Sequence, residues 1–209
     1  IGNKFLNPGP GYGGSCFKKD ILNLVYLCRH FNLFEVAEFW EGVLKINDWQ
    51  KKRIYETVVK KLYGNLAGKK LAILGFAFKA NTNDTRDSPA IDICKNLLEE
   101  NAFLGIYDPK VNSKKIISDL DGFEYKNAQK ENVIKGGTFT VFENINDCIK
   151  DANAIIILTE WEEFSYIDWN LISKKMINPA WVFDTRGISN IFEIKKSGLN
   201  VWYLGVGED

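Results

Sequence analysis

Short apolar runs that alternate with helix-like segments in the last two-thirds of the chain constrain its fold most. Lys70–Gly75 is apolar and ends in glycine, and Ala154–Leu158 is the most apolar run of all. Such runs are typical of buried parallel strands. Ser88-Pro89 predicts a helix start between them, with Ser88 as the cap and proline at the first helical position. The alternation predicts right-handed βαβ units and an α/β, Rossmann-like domain with a doubly wound parallel sheet.

The other elements follow from the same patterns. Further strands are predicted at Leu104–Tyr107, Thr138–Phe142, Trp181–Phe183 and Val201–Tyr203. Helices are predicted at Ser88–Asn101, Asn146–Asp151 and Phe164–Met176, and a helix followed by an exposed loop at Ser113–Gly137. We therefore assign residues 67–209 to this domain.

Residues 1–66 have a different pattern and predict a helical module that leads into the sheet domain. Apolar residues at spacings of three and four predict helices at Cys16–Phe31 and at Phe34–Tyr63. The second helix would be roughly 45 Å long. A helix of that length bridges two domains, packs against a partner chain, or does both. Its aromatic stripe consists of Phe39 and Trp40 with Val36 and Val43 beside them, and Ile54, Val58 and Leu62 continue it. We expect this stripe to pack in a core.

Composition argues against several classes of function. Lys plus Arg and Asp plus Glu both number 27, and this balance argues against a dominant nucleic-acid or membrane-surface role. No apolar run approaches the ~20 residues of a membrane span. The four cysteines form no Cys-x-x-Cys pair and there is one histidine, so no metal site is predicted. Few cysteines in a chain of this size indicate a reducing, cytoplasmic compartment.

The stretch "GYGGSCFKKD" places a thiol where a glycine-rich loop becomes a helix. Helix N-termini and neighbouring cations, here Lys18 and Lys19, favour the reactive thiolate. Asp20 lies one helical turn after Cys16, where it could position water or accept a proton. The alternative for Cys16 is a small buried hydrophobic residue, which is what we expect of the other three cysteines.

Ligands of open α/β sheets bind beyond the carboxyl ends of the strands. Lys79, Arg86 and Arg186 follow predicted strands, and the helix that starts at Ser88 adds a partial positive charge. These groups predict a phosphate or diphosphate site. The alternative is that each cation is solvated or ion-paired at the surface. The first strand lacks a G-x-G-x-x-G turn, so a standard dinucleotide site is not expected there.

Four motifs carry a resemblance that covers essentially the whole chain. "GPGYGGSCFKKD", "GFAFKANTNDTRDSPA", "ILTEWEEF" and "FDTRG" occur in this order. In sequence and spacing they resemble the UDP-glucose 6-dehydrogenase family. The resemblance implies an NAD-dependent enzyme that oxidises UDP-glucose to UDP-glucuronate in two steps. It also implies that this chain is a C-terminal fragment, with NAD bound mainly by a domain that precedes it. We expect such a fragment to bind UDP but to be inactive alone.

The resemblance also implies residue roles. Cys16 would form a thiohemiacetal and then a thioester, and Asp20 would orient water or the substrate hydroxyl. Substrate-binding residues would be Phe5, Asn7, Gly9, Gly11, Tyr12, Gly13, Phe78, Lys79 and Arg186. Cofactor-binding residues would be Cys16, Phe17, Lys18, Lys19 and Arg86. Asn7 departs from the family, because some relatives have a lysine nearby.

Two other functions remain open at this stage. One is a related nucleotide-sugar dehydrogenase, such as the UDP-N-acetylmannosamine type. The other is a module that binds a nucleotide sugar without using its thiol. In each case the resemblance implies a homodimer built through the helix at 34–63.

Overall fold

The computed structural model describes residues 2–125 and 136–207, apart from the side chains of Lys4, Phe5 and Tyr125. Residues 126–135, part of the segment predicted as a helix followed by an exposed loop, lie outside the described residues. A 3-10 turn at Asn3–Leu6 precedes two helices, α1 (Phe17–His30) and α2 (Phe34–Lys61). Asn32 separates them with a φ of 59°, a left-handed conformation that asparagine tolerates. Both predicted helices are confirmed to within two residues.

The rest of the described chain alternates strands and helices, as predicted. Its strands are β1 (Lys70–Leu74), β2 (Phe103–Tyr107), β3 (Glu124–Tyr125), β4 (Thr138–Val141), β5 (Ala154–Ile157), β6 (Trp181–Asp184) and β7 (Asn200–Tyr203). Its helices are α3 (Pro89–Glu99), α4 (Ser113–Asp119), α5 (Ile145–Ile149), α6 (Trp169–Ser173) and α7 (Ile191–Lys196).

These seven strands form one sheet in the order β3-β4-β2-β1-β5-β6-β7, and every pairing is parallel. The chain builds outward from β1 in one direction and then returns to add β5 on the other side. The strand order therefore reverses between β1 and β5, which is the place where α/β sheets bind ligands. The predicted doubly wound fold is confirmed.

Helix α2 joins the two parts of the molecule. Its C-terminal half buries Ile54 and Val58 in the core of the sheet domain. Its N-terminal half packs on α1 through a smaller cluster that includes Val25 and Ala37. The predicted bridging role is thus observed, whereas the domain boundary at residues 66 and 67 remains a prediction.

The expected core packing of the aromatic stripe is wrong in part. Val36 is 42% exposed and Phe39 is 68% exposed, whereas Trp40 and Val43 are half-buried. The reason is that this end of α2 has only α1 to pack against. A helical stripe alone does not say whether a partner covers it.

The predicted helix at Phe164–Met176 is also wrong. A 3-10 turn at Glu162–Tyr166 is followed by an extended residue, Ile167, and then by α6. The Asp168 side chain accepts a hydrogen bond from Leu171 N at 3.1 Å and so starts a new helix. Aspartate competes in this way with a continuous helix. The pattern also missed β3 and α7, which are two and six residues long.

No helix among the described residues combines the length and apolar character needed to cross a membrane. Within the same residues, no group of three or more His, Cys, Asp and Glu side chains could hold a metal ion.

Candidate functional site

Cys16 is the N-cap of α1, and its side chain is free and exposed. Its Sγ lies 3.6 Å from Ser15 Oγ. Asp20 N donates to Cys16 O at 2.9 Å, so Asp20 stands one turn along the helix and is also exposed. The helix end therefore presents a thiol and a carboxylate to solvent, with the partial positive charge of the α1 N-terminus beside the sulfur.

The other three cysteines are buried, as predicted. Burial raises the pKa of the Cys94 thiol and raises that of Cys148 to about 12. In solution near neutral pH these thiols stay protonated and shielded, so Cys16 differs from them in both exposure and setting.

The glycine-rich segment before Cys16 lies against α2. Asn47 Oδ1 accepts from Tyr12 N at 2.8 Å, and Gln50 Nε2 donates to Gly9 O at 2.9 Å. Gly11 has a φ of +133°, and a Cβ at that position would lie 2.8 Å from Asn47 Oδ1. Glycine is therefore required at this position both by conformation and by space.

On its other side, the same segment contacts the loop that follows β1. Gly14 N donates to Arg86 O at 2.7 Å. A Cβ at Gly13 would lie only 2.4 Å from Asp87 O, so a side chain there would push the two loops apart. The ring of Phe78 lies against Gly14. The segment thus brings the thiol to the loop at the carboxyl end of β1.

Arg186 follows β6, and its side chain bonds residues that follow β5 and β1. Its Nε donates to Leu158 O at 2.8 Å, and its Nη2 donates to Phe78 O at 3.2 Å. Its Nη1 lies 3.1 Å from Glu160 Oε2, as an ion pair that is not aligned as a hydrogen bond. The side chain is only 14% exposed, and burial lowers the pKa of Arg186 while Glu160 and Asp184 oppose that effect. A Cβ on Gly9 would lie 3.1 Å from Arg186 Nη1, so the N-terminal segment reaches this site as well.

The other two cations predicted at the strand ends differ in whether a carboxylate of the protein already pairs with them. Arg86 is exposed and makes a forked pair with Asp84, including Nη2 to Oδ2 at 2.7 Å. The pKa of Arg86 is raised, mainly by this hydrogen bonding and to a lesser degree by the charge of a Cys16 thiolate. Lys79 is exposed, with its Nζ 5.4 Å from the centre of the Phe78 ring.

Two buried aspartates that sequence reasoning did not assign hold these loops in place. Asp108, at the end of β2, accepts from Phe76 N, Ala77 N and Trp161 Nε1 through Oδ2. Asp184, at the end of β6, accepts four backbone N–H groups from residues 186–189. A sequence signal for both aspartates was available, because each stands at the end of a predicted strand, in Asp108-Pro109 and in "FDTRG".

The remaining predicted residues are distributed as follows. The Phe5 side chain lies outside the described residues, and Asn7 and Lys19 are exposed. Lys18 pairs with Asp87 at 3.0 Å, and the Phe17 ring packs edge-on against Tyr12 at 4.6 Å. Ser88 caps α3 as predicted, but it is 2% exposed, so its own hydroxyl occupies the helix end that was expected to meet an anion.

Two models of one protein family match this chain. A model described as the UDP binding domain of the UDP-glucose/GDP-mannose dehydrogenase family matches residues 72–191. The model of the same family's central domain matches residues 1–49.

Among curated relatives, UDP-glucose 6-dehydrogenase 2 of Arabidopsis thaliana is 46% identical over 98% of this chain, and UDP-glucose 6-dehydrogenase of Drosophila melanogaster is 42% identical over 98%. The chain spans 44% and 42% of their respective lengths. A solved UDP-glucose dehydrogenase from the hyperthermophilic archaeon Pyrobaculum islandicum superimposes with a TM-score of 0.72 at 25% identity, covering 98% of this chain and 40% of that one.

Proposed function

The chain belongs to the UDP-glucose/GDP-mannose dehydrogenase family, and on that premise we propose that it supplies the nucleotide-sugar site and the reactive thiol of a UDP-glucose 6-dehydrogenase. One observation carries the proposal. The segment that ends in Cys16 lies directly against the loop after β1, with Gly14 N bonded to Arg86 O at 2.7 Å. A thiol and a strand-end ligand site therefore meet in one place.

In this proposal the sugar C6 lies next to Cys16. The C6 alcohol loses two electrons and two protons and becomes an aldehyde, to which the thiolate adds as a thiohemiacetal. A second two-electron oxidation gives a thioester, which water hydrolyses to the carboxylate and the free thiol. Asp20, exposed one turn from the sulfur, is placed to orient that water.

When bound, NAD would supply the hydride acceptor for both oxidations. The groups that this chain offers fit a phosphate-bearing cofactor. Arg86 and Lys19 are exposed cations. A Cys16 thiolate would help to raise the pKa of Arg86. We assign Phe17 and Lys18 to the same side of the site.

The UDP portion is assigned to the switch between β1 and β5. Lys79 is the exposed cation there and is free to meet a phosphate. Arg186 is largely buried, so its main contribution is to hold Phe78 O and the end of β5 in place beneath the ligand. Gly9, Gly11, Tyr12 and Gly13 would line the glucosyl side, together with Phe5 and Asn7.

The proposal also includes a homodimer formed through residues 34–63. Large apolar side chains are exposed on α2, including Phe39 at 68%, Ile46 at 68% and Trp49 at 57%. Contiguous exposed apolar patches mark interaction surfaces. Light scattering at micromolar concentration should give twice the chain mass, and a monomer would contradict the proposed dimer. The free, mostly buried thiols suit a reducing cytoplasm.

Calorimetric titration of this chain with UDP, UDP-glucose and GDP tests the ligand assignment. We expect UDP and UDP-glucose to bind, and Lys79→Met to weaken both by at least about tenfold because a charged hydrogen bond to phosphate is lost. Lys195→Met, an exposed lysine on α7, is the matched control and should bind as the wild type does. No binding at millimolar UDP, or equal losses in both variants, would refute the assignment.

Two further experiments, a titration and an alkylation measurement, separate the alternatives. Tighter binding of UDP-N-acetylmannosamine than of UDP-glucose would favour the related dehydrogenase. If UDP-glucose binds but does not slow alkylation of Cys16, the chain is a binding module that does not use its thiol.

A further inference from the structure

The side chain of Asn47 uses both of its polar groups on one residue of the glycine-rich segment. Its Oδ1 accepts from Tyr12 N at 2.8 Å, and its Nδ2 donates to Tyr12 O at 3.2 Å. We propose that Asn47 is a positioning residue that fixes the Gly9–Ser15 segment, here called the strap, and thereby sets the place of Cys16. The importance of that placement for catalysis rests on the function proposed above.

Burial makes this contact specific. Asn47 is 9% exposed on a helix whose other buried residues are Ala37, Ile54 and Val58. A buried amide is costly unless its donors and acceptor are paired, and here the partner is the backbone of a residue 35 positions earlier. Tyr12 therefore has one favoured position against α2, since a shift of the strap would leave both its own groups and those of Asn47 unpaired.

Neighbouring side chains keep α2 and the strap in register. Gln50, one turn after Asn47, donates to Gly9 O at 2.9 Å. Lys51 ties α2 to α3 through Asp92 at 2.5 Å. Burial lowers the pKa of Lys51, but its hydrogen bonds with Asp48 and Asp92 outweigh burial and leave that pKa raised. Asn47 thus holds the strap from a helix that is itself anchored to the sheet domain.

The other end of the strap is held by a different element. Gly14 N donates to Arg86 O at 2.7 Å, and Cys16 follows two residues later as the α1 N-cap. The chain between Tyr12 and Gly14 is therefore held by α2 at one end and by the β1–α3 loop at the other. Releasing Tyr12 would free one of these two ends and let the thiol move relative to Arg86.

Two readouts on the 209-residue chain test this inference without any nucleotide. The first is amide hydrogen exchange by NMR at Tyr12, whose N–H bonds Asn47. The second is the electron paramagnetic resonance spectrum of a nitroxide on Cys16, which is labelled selectively because the other three thiols are buried. Asn47→Ala should speed Tyr12 exchange by at least about tenfold and increase the mobile fraction of the label.

Val58→Ala is the matched control, because it makes a cavity in the core at the far end of the same helix. It should lower stability but leave both readouts within about twofold of the wild type. Asn47→Asp keeps the acceptor for Tyr12 N and should fall between Asn47→Ala and the wild type. If Asn47→Ala does not fold, the label mobility of Asn47→Asp carries the test, because that variant loses the donor to Tyr12 O.

The inference is overturned if Asn47→Ala leaves either Tyr12 exchange or the mobile fraction of the label within about twofold of the wild type, or if Val58→Ala mobilises the label equally. Because neither readout requires UDP, failure of the proposed ligand site would leave these results intact, and failure here would leave UDP binding intact.

Discussion

Asp184→Asn is a small chemical change that should destabilise this fold strongly. The carboxylate is fully buried at the end of β6. Oδ1 accepts from Arg186 N at 2.9 Å and Gly187 N at 2.8 Å, and Oδ2 accepts from Ile188 N at 3.0 Å and Ser189 N at 2.8 Å. Asp184→Asn replaces one oxygen with an amino group and keeps the volume.

Whichever way the amide turns, two backbone N–H donors then face another donor. An unpaired buried donor costs ~1–3 kcal/mol, so the loss in free energy of unfolding should be about 2–6 kcal/mol. Urea unfolding followed by circular dichroism measures it. Asp168→Asn is the control, because that exposed aspartate accepts one cap bond from Leu171 N and should cost about 1 kcal/mol or less.

A loss below about 1 kcal/mol for Asp184→Asn would refute the reasoning, since it would mean that the loop repacks without a carboxylate. We also expect UDP affinity to fall at temperatures where the variant remains folded, because the same four bonds set the course of the chain at Arg186.

Two further predictions concern thiol reactivity and pH. Iodoacetamide should modify Cys16 well before Cys94 and Cys148, whose buried thiols have raised pKa values; equal rates in the folded chain would contradict their burial. The Arg86 hydrogen bond lowers the pKa of Asp84 below its ordinary 3.8, so this pair should stabilise the fold above about pH 4 and lose its effect as the pH falls through the lower, folded-state pKa. Urea unfolding at several pH values should therefore show a deficit in Asp84→Asn that disappears in acid, and a deficit that persists there would exclude the pair as its source.

The main architecture follows from local patterns. Apolar runs of four or five residues predict β1 and β5, and Ser88-Pro89 predicts the start of α3, because each signal depends on neighbours along the chain. The same dependence explains the failure at Phe164–Met176. There a single aspartate, Asp168, caps a new helix with its own side chain and interrupts an otherwise helical pattern.

The candidate site could be predicted only in outline. Cys16 and its glycines form one continuous motif, which the sequence presents directly. Asn47 gives no such signal, since a polar residue on a long helix is normally solvated, and its partner Tyr12 lies 35 residues away. For Asp108 the sequence offers only its position after a predicted strand, because its bonds to Phe76 N and Ala77 N span more than 30 residues.

Order along the chain is enough to specify the alternation of strands and helices, the motif around the thiol and the family to which they belong. Folding alone decides which polar groups are buried together, because burial depends on contacts between distant segments. It pairs Arg186 with Glu160 and largely buries that arginine, and so leaves Lys79 more open to a ligand than Arg186. Folding also places the strap between α2 and the β1–α3 loop. There, hydrogen bonds from these two separate elements determine the position of the Cys16 sulfur.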